Sequence, residues 1–281
     1  MGTALAMRQI WRSVLNAAAI AVAASALLGA LGGCASQPTA SNDPVIAETP
    51  GGASDEGEAR RRARIRLELA SNYFDQGKTT VALDEVRQVL AADPGFAEAY
   101  NLRGLIYMRL NDERQAEEGF KRALALSPRD PNILHNYGWL LCQRKRYSEA
   151  DELFNQALQS PLYGEKAKTY MAQGLCQARA GRKGEAERSL ARSYELDAGN
   201  PITGYNLAAL LFQRGELVRA QFYIRRLNNS EYANAESLWL GIRVEHRMGD
   251  RVAMLQLVDQ LKKRFPQARE LSSYERGAFD E

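Results

Sequence analysis

The chain repeats itself at a spacing of about 34 residues, and this repetition constrains its fold more than any other feature. The eighth and twentieth positions of every repeat are Ala or Gly, as at Gly104 and Ala116 in the second repeat. Small residues at a fixed period indicate stacked structural units, each burying its apolar face against its neighbours. The six aligned blocks are 63–96, 97–130, 131–166, 167–200, 201–233 and 234–267.

The spacing inside one block predicts two antiparallel helices joined by a short turn. Apolar residues recur at helical intervals on both sides of the small positions, which lets the two helices approach closely. Gly77 and Gly181 stand between the two expected helices, and Pro94 and Pro128 follow the second helix because proline cannot continue it. This pattern resembles the tetratricopeptide repeat (TPR). We therefore predict an all-α superhelical solenoid of about six such repeats.

Residues 1–33 have the composition of an export signal. Arg8 and Arg12 precede an almost wholly apolar stretch, 14–33, which is the order of a basic region and an apolar core in secretory signal peptides. The sequence leaves open whether translation starts at Met1 or at Met7.

The signal ends in Leu-Gly-Gly-Cys, which resembles the lipobox of bacterial lipoproteins. In such proteins the cysteine, here Cys34, is lipidated and becomes the mature N-terminus. Ala35 follows rather than Asp, which in bacterial lipoproteins generally implies release to the outer membrane. The alternative is an uncleaved membrane anchor, for which the apolar stretch is only just long enough.

The segment 34–57 is predicted to be a lipidated cysteine followed by a flexible tether. It is rich in Pro, Gly, Ser and Thr and has no helical or strand periodicity. Such a tether would span roughly 25–30 Å on average. The repeat body then occupies 58–267, and 268–281 is expected to be a C-terminal tail or a partial capping helix.

No set of residues in the sequence has the spacing of a catalytic, nucleotide or metal site. His135 and His246 lie in different repeats without a nearby set of ligands, and both are interpreted as surface residues. The net charge of +3 falls to +1 without residues 1–33, which is too small to indicate nucleic acid. We expect a protein that is not an enzyme, with no metal, cofactor, nucleic-acid partner or small-molecule substrate.

Cys142 and Cys176 lie on the first helices of neighbouring repeats. An exported protein can oxidise such a pair. They stand at positions 12 and 10 of their repeats, however, and disulfide geometry is strict. We therefore expect two separate, half-buried thiols.

The first helices of this repeat class line a concave groove, through positions 2, 5, 9 and 12. Many of these positions carry apolar side chains here, and an exposed apolar stripe of this extent usually marks a partner site. The alternative is that some of these side chains pack on neighbouring helices. The predicted partner-binding groove consists of Leu67, Phe74, Asn101, Leu105, Met108, His135, Trp139, Met171, Leu175, Tyr205 and Phe212.

Four stretches resemble one family in particular: Leu134–Gly138, Lys145–Ala150, Ser237–Arg243 and Gln260–Pro266. With the lipobox, the repeat count and the size, they are similar to the PilF/PilW family of type IV pilus biogenesis lipoproteins. The resemblance implies a pilotin on the periplasmic face of a Gram-negative outer membrane. Such a protein binds secretin subunits and promotes their localisation and multimerisation, and so supports twitching motility. The family has no catalytic residues to carry over. The alternative is another periplasm-facing TPR adaptor lipoprotein, serving peptidoglycan enzymes or outer-membrane assembly.

Overall fold

The computed structural model describes residues 52–279, with side chains from residue 57 onward, and this part of the chain is helical throughout. No strand occurs within it, so the predicted all-α solenoid is confirmed. The predicted signal segment and Cys34 lie outside the described residues. No helix between residues 52 and 279 is long and apolar enough to cross a membrane. The helices are α1 Gly52–Asp75, α2 Thr79–Ala92, α3 Ala97–Arg109, α4 Glu113–Leu126, α5 Pro131–Gln143, α6 Tyr147–Leu158, α7 Lys166–Arg179, α8 Lys183–Leu196, α9 Pro201–Gln213, α10 Leu217–Asn228, α11 Ala235–Met248, α12 Arg251–Arg264 and α13 Arg269–Glu275.

The first twelve helices pack as six consecutive pairs, from α1 with α2 to α11 with α12, and α13 packs on the last pair. The two helices of a pair meet at the small residues. A β-carbon added at Gly104 would lie 2.7 Å from the ring of Phe120, and one at Gly138 would lie 3.0 Å from the ring of Phe154. These glycines therefore permit a helix contact that a larger residue would obstruct.

Helix α1 begins at Gly52, inside the segment predicted to be the tether. The expectation of an irregular chain as far as residue 57 is therefore wrong. Ala, Glu and Arg are strong helix formers, and Arg62 donates to Glu58 at 3.0 Å one turn away. Local helix propensity thus extends the first helix beyond the apolar repeat pattern.

Ion pairs join successive repeats on the side of the second helices. Glu117 at the start of α4 accepts from Arg146 of the next repeat at 2.8 Å and also pairs with Arg144. Tyr137 and Lys121 contact the same carboxylate at 3.0 and 2.9 Å. Burial alone would raise the pKa of Glu117, but the hydrogen bonds from Arg146, Lys121 and Tyr137 lower it to about 2.

We predict that Glu117→Gln lowers the free energy of unfolding at pH 7 by about 1–3 kcal/mol. The folded-state pKa lies below the usual 4.5, so the carboxylate stabilises the fold above that pH. This stabilisation is lost as the pH falls toward 2. Chemical denaturation from pH 7 to pH 3 should therefore show the variant and the wild type converging. Glu113→Gln, an exposed partner of Arg144 at 3.4 Å, is the control and should change little.

Cys142 of α5 and Cys176 of α7 form a disulfide, with their Cα atoms 5.7 Å apart and both side chains buried. The expectation of two separate thiols is wrong. The third repeat, with 36 residues, is two or three residues longer than the others, so equivalent positions of the third and fourth repeats are 36 residues apart rather than 34. The two cysteines, 34 apart in sequence, face each other, and their repeat positions therefore differ.

We predict that a Cys34→Ala chain, denatured without reductant, has no reactive thiol and gains two after reduction. In the chain-entropy account, a disulfide closing a loop of this length stabilises by about 2–4 kcal/mol, so reduction should lower the unfolding midpoint. A Cys142→Ser, Cys176→Ser double variant should unfold at the same midpoint with and without reductant. Two reactive thiols in the unreduced protein would contradict the pairing.

Candidate partner-binding groove

The first helices of successive pairs lie side by side in one layer. Helix α1 contacts α3, α3 contacts α5, and the same continues through α7, α9 and α11. Nine of the eleven predicted groove residues are partly exposed on these helices. The layer therefore presents a continuous row of side chains, as a groove for an extended partner would require. The nine are Leu67, Phe74, Asn101, Leu105, Met108, Trp139, Met171, Leu175 and Tyr205.

His135 does not belong to this surface, and its interpretation as a surface histidine is wrong. Its side chain is 7% exposed, and its Nδ1 lies 2.8 Å from the Thr169 hydroxyl of the next first helix. Tyr163 shares that hydroxyl at 2.9 Å. Burial, with a smaller effect from Lys168, lowers the pKa of His135 to about 4. The imidazole is therefore neutral near pH 7, and its buried hydrogen bond with Thr169 joins the third repeat to the fourth.

Phe212 is the other predicted groove residue that the structure buries, at 5% exposed. The guanidinium carbons of Arg243 and Arg247 each lie 5.0 Å from the centre of its ring. Both arginines come from α11, the next first helix. The prediction that Phe212 lines the open groove is wrong, because the two guanidinium groups cover the ring.

The same contact recurs along the layer. Arg109 of α3 lies over the ring of Phe74, 3.6 Å from its centre, and Arg179 of α7 lies over Trp139 at 5.1 Å. A guanidinium group over an aromatic face is attractive and stays hydrated at its edge. The groove is therefore an alternation of aromatic rings and cationic groups rather than the purely apolar stripe that the repeat positions predicted.

The arginines that cover these rings have a signal in the sequence that the groove prediction did not use. A basic residue occupies position 13 or 14 in five of the six blocks, in the last turn of the first helix or just after it. Cations are favourable there because of the helix dipole. Two of them turn away from the layer to acids of the preceding repeat, Arg144 to Glu117 and Arg214 to Glu187. The five positions are Arg109, Arg144, Arg179, Arg214 and His246 with Arg247.

Between the stacked rings lie flexible apolar side chains. Leu105 and Met108 of α3 pack beside Trp139 on the buried cluster beneath them, and Met171 and Leu175 stand one turn apart on α7. Methionine adapts its shape to different apolar partners. Near them Asn136 donates to the Asn101 side chain at 3.1 Å, which places amide groups at the same surface. This arrangement suits a peptide that offers apolar side chains together with carbonyl or carboxylate oxygens.

Comparison with known proteins agrees with the repeat architecture. A tetratricopeptide-repeat profile matches residues 67–131 and 137–201, and a second profile of the same repeat matches residues 120–152. The type IV pilus assembly protein PilF of Pseudomonas aeruginosa is 29% identical over 209 residues, which are 74% of this chain and 83% of PilF.

Two solved structures match along most of their length. Pseudomonas aeruginosa PilF superposes with a TM-score of 0.71 at 28% identity, over 79% of this chain and 99% of that one. PilW, described as a widely conserved type IV pilus biogenesis factor, superposes with a TM-score of 0.69 at 30% identity, over 75% of this chain and 97% of that one. The chain belongs to the PilF/PilW family. The resemblance predicted from the four sequence stretches is thereby confirmed.

Several residues in the stretches that carry the PilF/PilW resemblance make contacts that stabilise the solenoid. His135 joins two repeats from inside, and Arg146 binds Glu117 of the preceding repeat. Ser237 completes the capping box at the start of α11, and Arg243 covers Phe212. His135, Arg146 and Arg243 thus connect neighbouring repeats, and Ser237 fixes the start of α11.

Within residues 52–279, no group of three or more His, Cys, Asp or Glu side chains is placed to hold a metal ion. Glu117, Tyr137 and His135, whose pKa values are strongly shifted, all serve contacts between helices. The groove side chains described above offer stacking, apolar contact and hydrogen bonding.

Proposed function

We propose that this PilF/PilW family member is an outer-membrane lipoprotein that acts as a pilotin in type IV pilus biogenesis. It binds secretin subunits in the groove and promotes their localisation and multimerisation in the outer membrane. The observation that carries the proposal is the layer of first helices, with its stacked arginines and exposed apolar side chains, in a chain related to PilF and PilW.

The groove recognises a segment of the secretin subunit in an extended or helical form. Leu105, Met108, Met171 and Leu175 provide apolar contacts, and the guanidinium edge of Arg179 provides hydrogen-bond donors for carbonyl or carboxylate oxygens. Such a site covers apolar surface that the subunit exposes before it assembles. Covering that surface keeps the subunit from aggregating on its way to the membrane.

Cys34 supplies the anchor in this proposal. A lipidated Cys34 would hold the solenoid at the periplasmic face of the outer membrane, since several acyl chains bind a bilayer firmly. Since α1 begins at Gly52, only residues 35–51 are left for the proposed tether, and a flexible chain of that length would reach roughly 20–25 Å. Confinement near the membrane raises the local concentration of secretin subunits and so favours their multimerisation.

We predict that Trp139→Ser combined with Leu175→Ser lowers capture of the secretin subunit at least tenfold and reduces the secretin multimers to the same degree. Loss of a hot-spot residue at the centre of an interface, often a tryptophan, weakens binding by about 2 kcal/mol or more. Capture is measured by affinity purification from crosslinked cells, and multimers by electrophoresis without boiling. Leu175→Ser alone is the milder variant, and circular dichroism checks that each variant is folded.

The matched control is Val218→Ser with Val252→Ser, on the second helices α10 and α12, where these side chains are 72% and 70% exposed. It should leave capture and multimers unchanged. Undiminished capture and multimers in the groove variant would refute the groove assignment. Enrichment of peptidoglycan enzymes or outer-membrane assembly proteins in place of a secretin would instead favour an adaptor for those systems.

We predict that Cys34→Ala moves the protein from the membrane fraction to the soluble periplasmic fraction, because the lipid attachment site is lost. The measurement is fractionation of cells followed by immunoblotting, with the variant of Val218 and Val252 as the membrane-bound control. Continued residence of Cys34→Ala in the membrane would contradict lipidation at this residue and favour the uncleaved anchor.

A further inference from the structure

The chain folds back on itself after α13, and its last described residues lie on α11. The ring of Phe279 stacks on His246, with the ring centres 3.9 Å apart and the planes inclined by 13°. Trp239 faces the same ring at 5.7 Å and 28°, and Tyr274 meets it edge-on at 6.1 Å. One aromatic residue is thus held by three others.

The backbone of this segment is also recognised. The Nε of Arg243 donates to the carbonyl oxygen of Phe279 at 2.8 Å. Gly277 has a φ of +70°, and the tight turn that it allows brings Ala278 to the Ser273 carbonyl at 2.9 Å. Phe279 itself remains partly exposed. The segment is therefore held by stacking of the Phe279 ring, by a hydrogen bond to the Phe279 carbonyl oxygen and by a tight turn, rather than by burial in a hydrophobic core.

This contact continues the groove at its C-terminal end. Trp239, Arg243 and His246 are spaced four and three residues apart, so they share one face of α11. The guanidinium group that binds Phe279 also lies over Phe212 of the preceding first helix. In the earlier repeats the next first helix covers this face, as Arg179 covers Trp139. After α11, a short segment of tail takes that place.

We propose that Trp239, Arg243 and His246 form a binding site for an aromatic residue of an extended partner peptide, and that Phe279 is its intramolecular occupant. The partner's ring would stack between His246 and Trp239, and its main-chain carbonyl would accept from Arg243, as Phe279 shows. An aromatic ring fits because two of the three residues offer flat faces to stack on. The site would take an aromatic residue whichever protein the groove binds.

The tail competes with the partner because it is tethered beside the site. The connection from α13 to Phe279 is short, so the effective concentration of the ring at the site is in the millimolar range or above, and the structure shows the site filled. A free peptide must displace Phe279, so its apparent affinity is its intrinsic affinity multiplied by the fraction of sites that are open. Removing the ring of Phe279 should therefore strengthen peptide binding, whereas removing a purely structural cap would not create a site.

The test uses the full chain with Phe279→Ala, labelled with ¹⁵N, and the probe peptide acetyl-Gly-Ala-Phe-amide. The indole N–H signal of Trp239, assigned with a Trp239→Phe variant, reports binding. We expect a saturable shift in Phe279→Ala with at least tenfold higher affinity than in the wild type. We expect no saturable shift with acetyl-Gly-Ala-Leu-amide, and none in Phe279→Ala with Arg243→Met and His246→Ala.

Phe279→Leu keeps an apolar contact without the aromatic ring, and it should bind the probe nearly as well as Phe279→Ala while protecting the fold. Phe222→Ala, which removes an exposed phenylalanine from α10, should bind no better than the wild type. Equal affinity in the wild type and both Phe279 variants would overturn the proposal, as would the absence of a saturable shift. Dimerisation of the wild type through exchanged tails would also overturn it.

Discussion

The close approach of the two helices in each pair is the contact on which the rest of the structure depends. At Gly104 and Gly138 the backbone of the first helix lies against an aromatic ring of the second, with no room for a β-carbon. A pair so thin cannot enclose its own apolar side chains, so it must stack on another pair. Stacking then places the first helices in one layer, and that layer is the groove.

What could be predicted from the sequence is what one repeat determines by itself. The period, the two helices and their meeting point follow from spacing within about 34 residues, and the PilF/PilW resemblance follows from short stretches. The burial of His135 and the disulfide of Cys142 with Cys176 depend instead on which residues of α5 and α7 face each other. Both contacts join residues 34 apart, whereas equivalent positions of these two repeats are 36 apart, so repeat positions alone do not reveal them.

The groove likewise combines features that a single repeat determines with features that depend on the neighbouring repeat. Its apolar residues could be read from positions within a repeat, but its arginines are contributed by the following repeat and cover rings of the one before. Gln177 is a parallel case in the core. It replaces an apolar residue of the pattern, yet it is buried because Ser189 and Asp151 form hydrogen bonds with its side chain. A polar residue is accommodated there by partners that lie on other helices.

The groove and the C-terminal end of the solenoid therefore share one requirement, which is that the face of a first helix is covered by another part of the chain or by a partner. The first helices α1, α5 and α9 each offer their successor an aromatic ring, and an arginine of the next first helix covers that ring. Inside the solenoid that face is covered by the next repeat, and at α11 it is covered by Phe279. A surface that accepts a neighbouring helix or residues 277–279 through aromatic rings and guanidinium groups is also suited to accept a peptide. Stability and recognition thus draw on the same side chains at this end of the solenoid, where Arg243 both covers Phe212 and binds the carbonyl oxygen of Phe279.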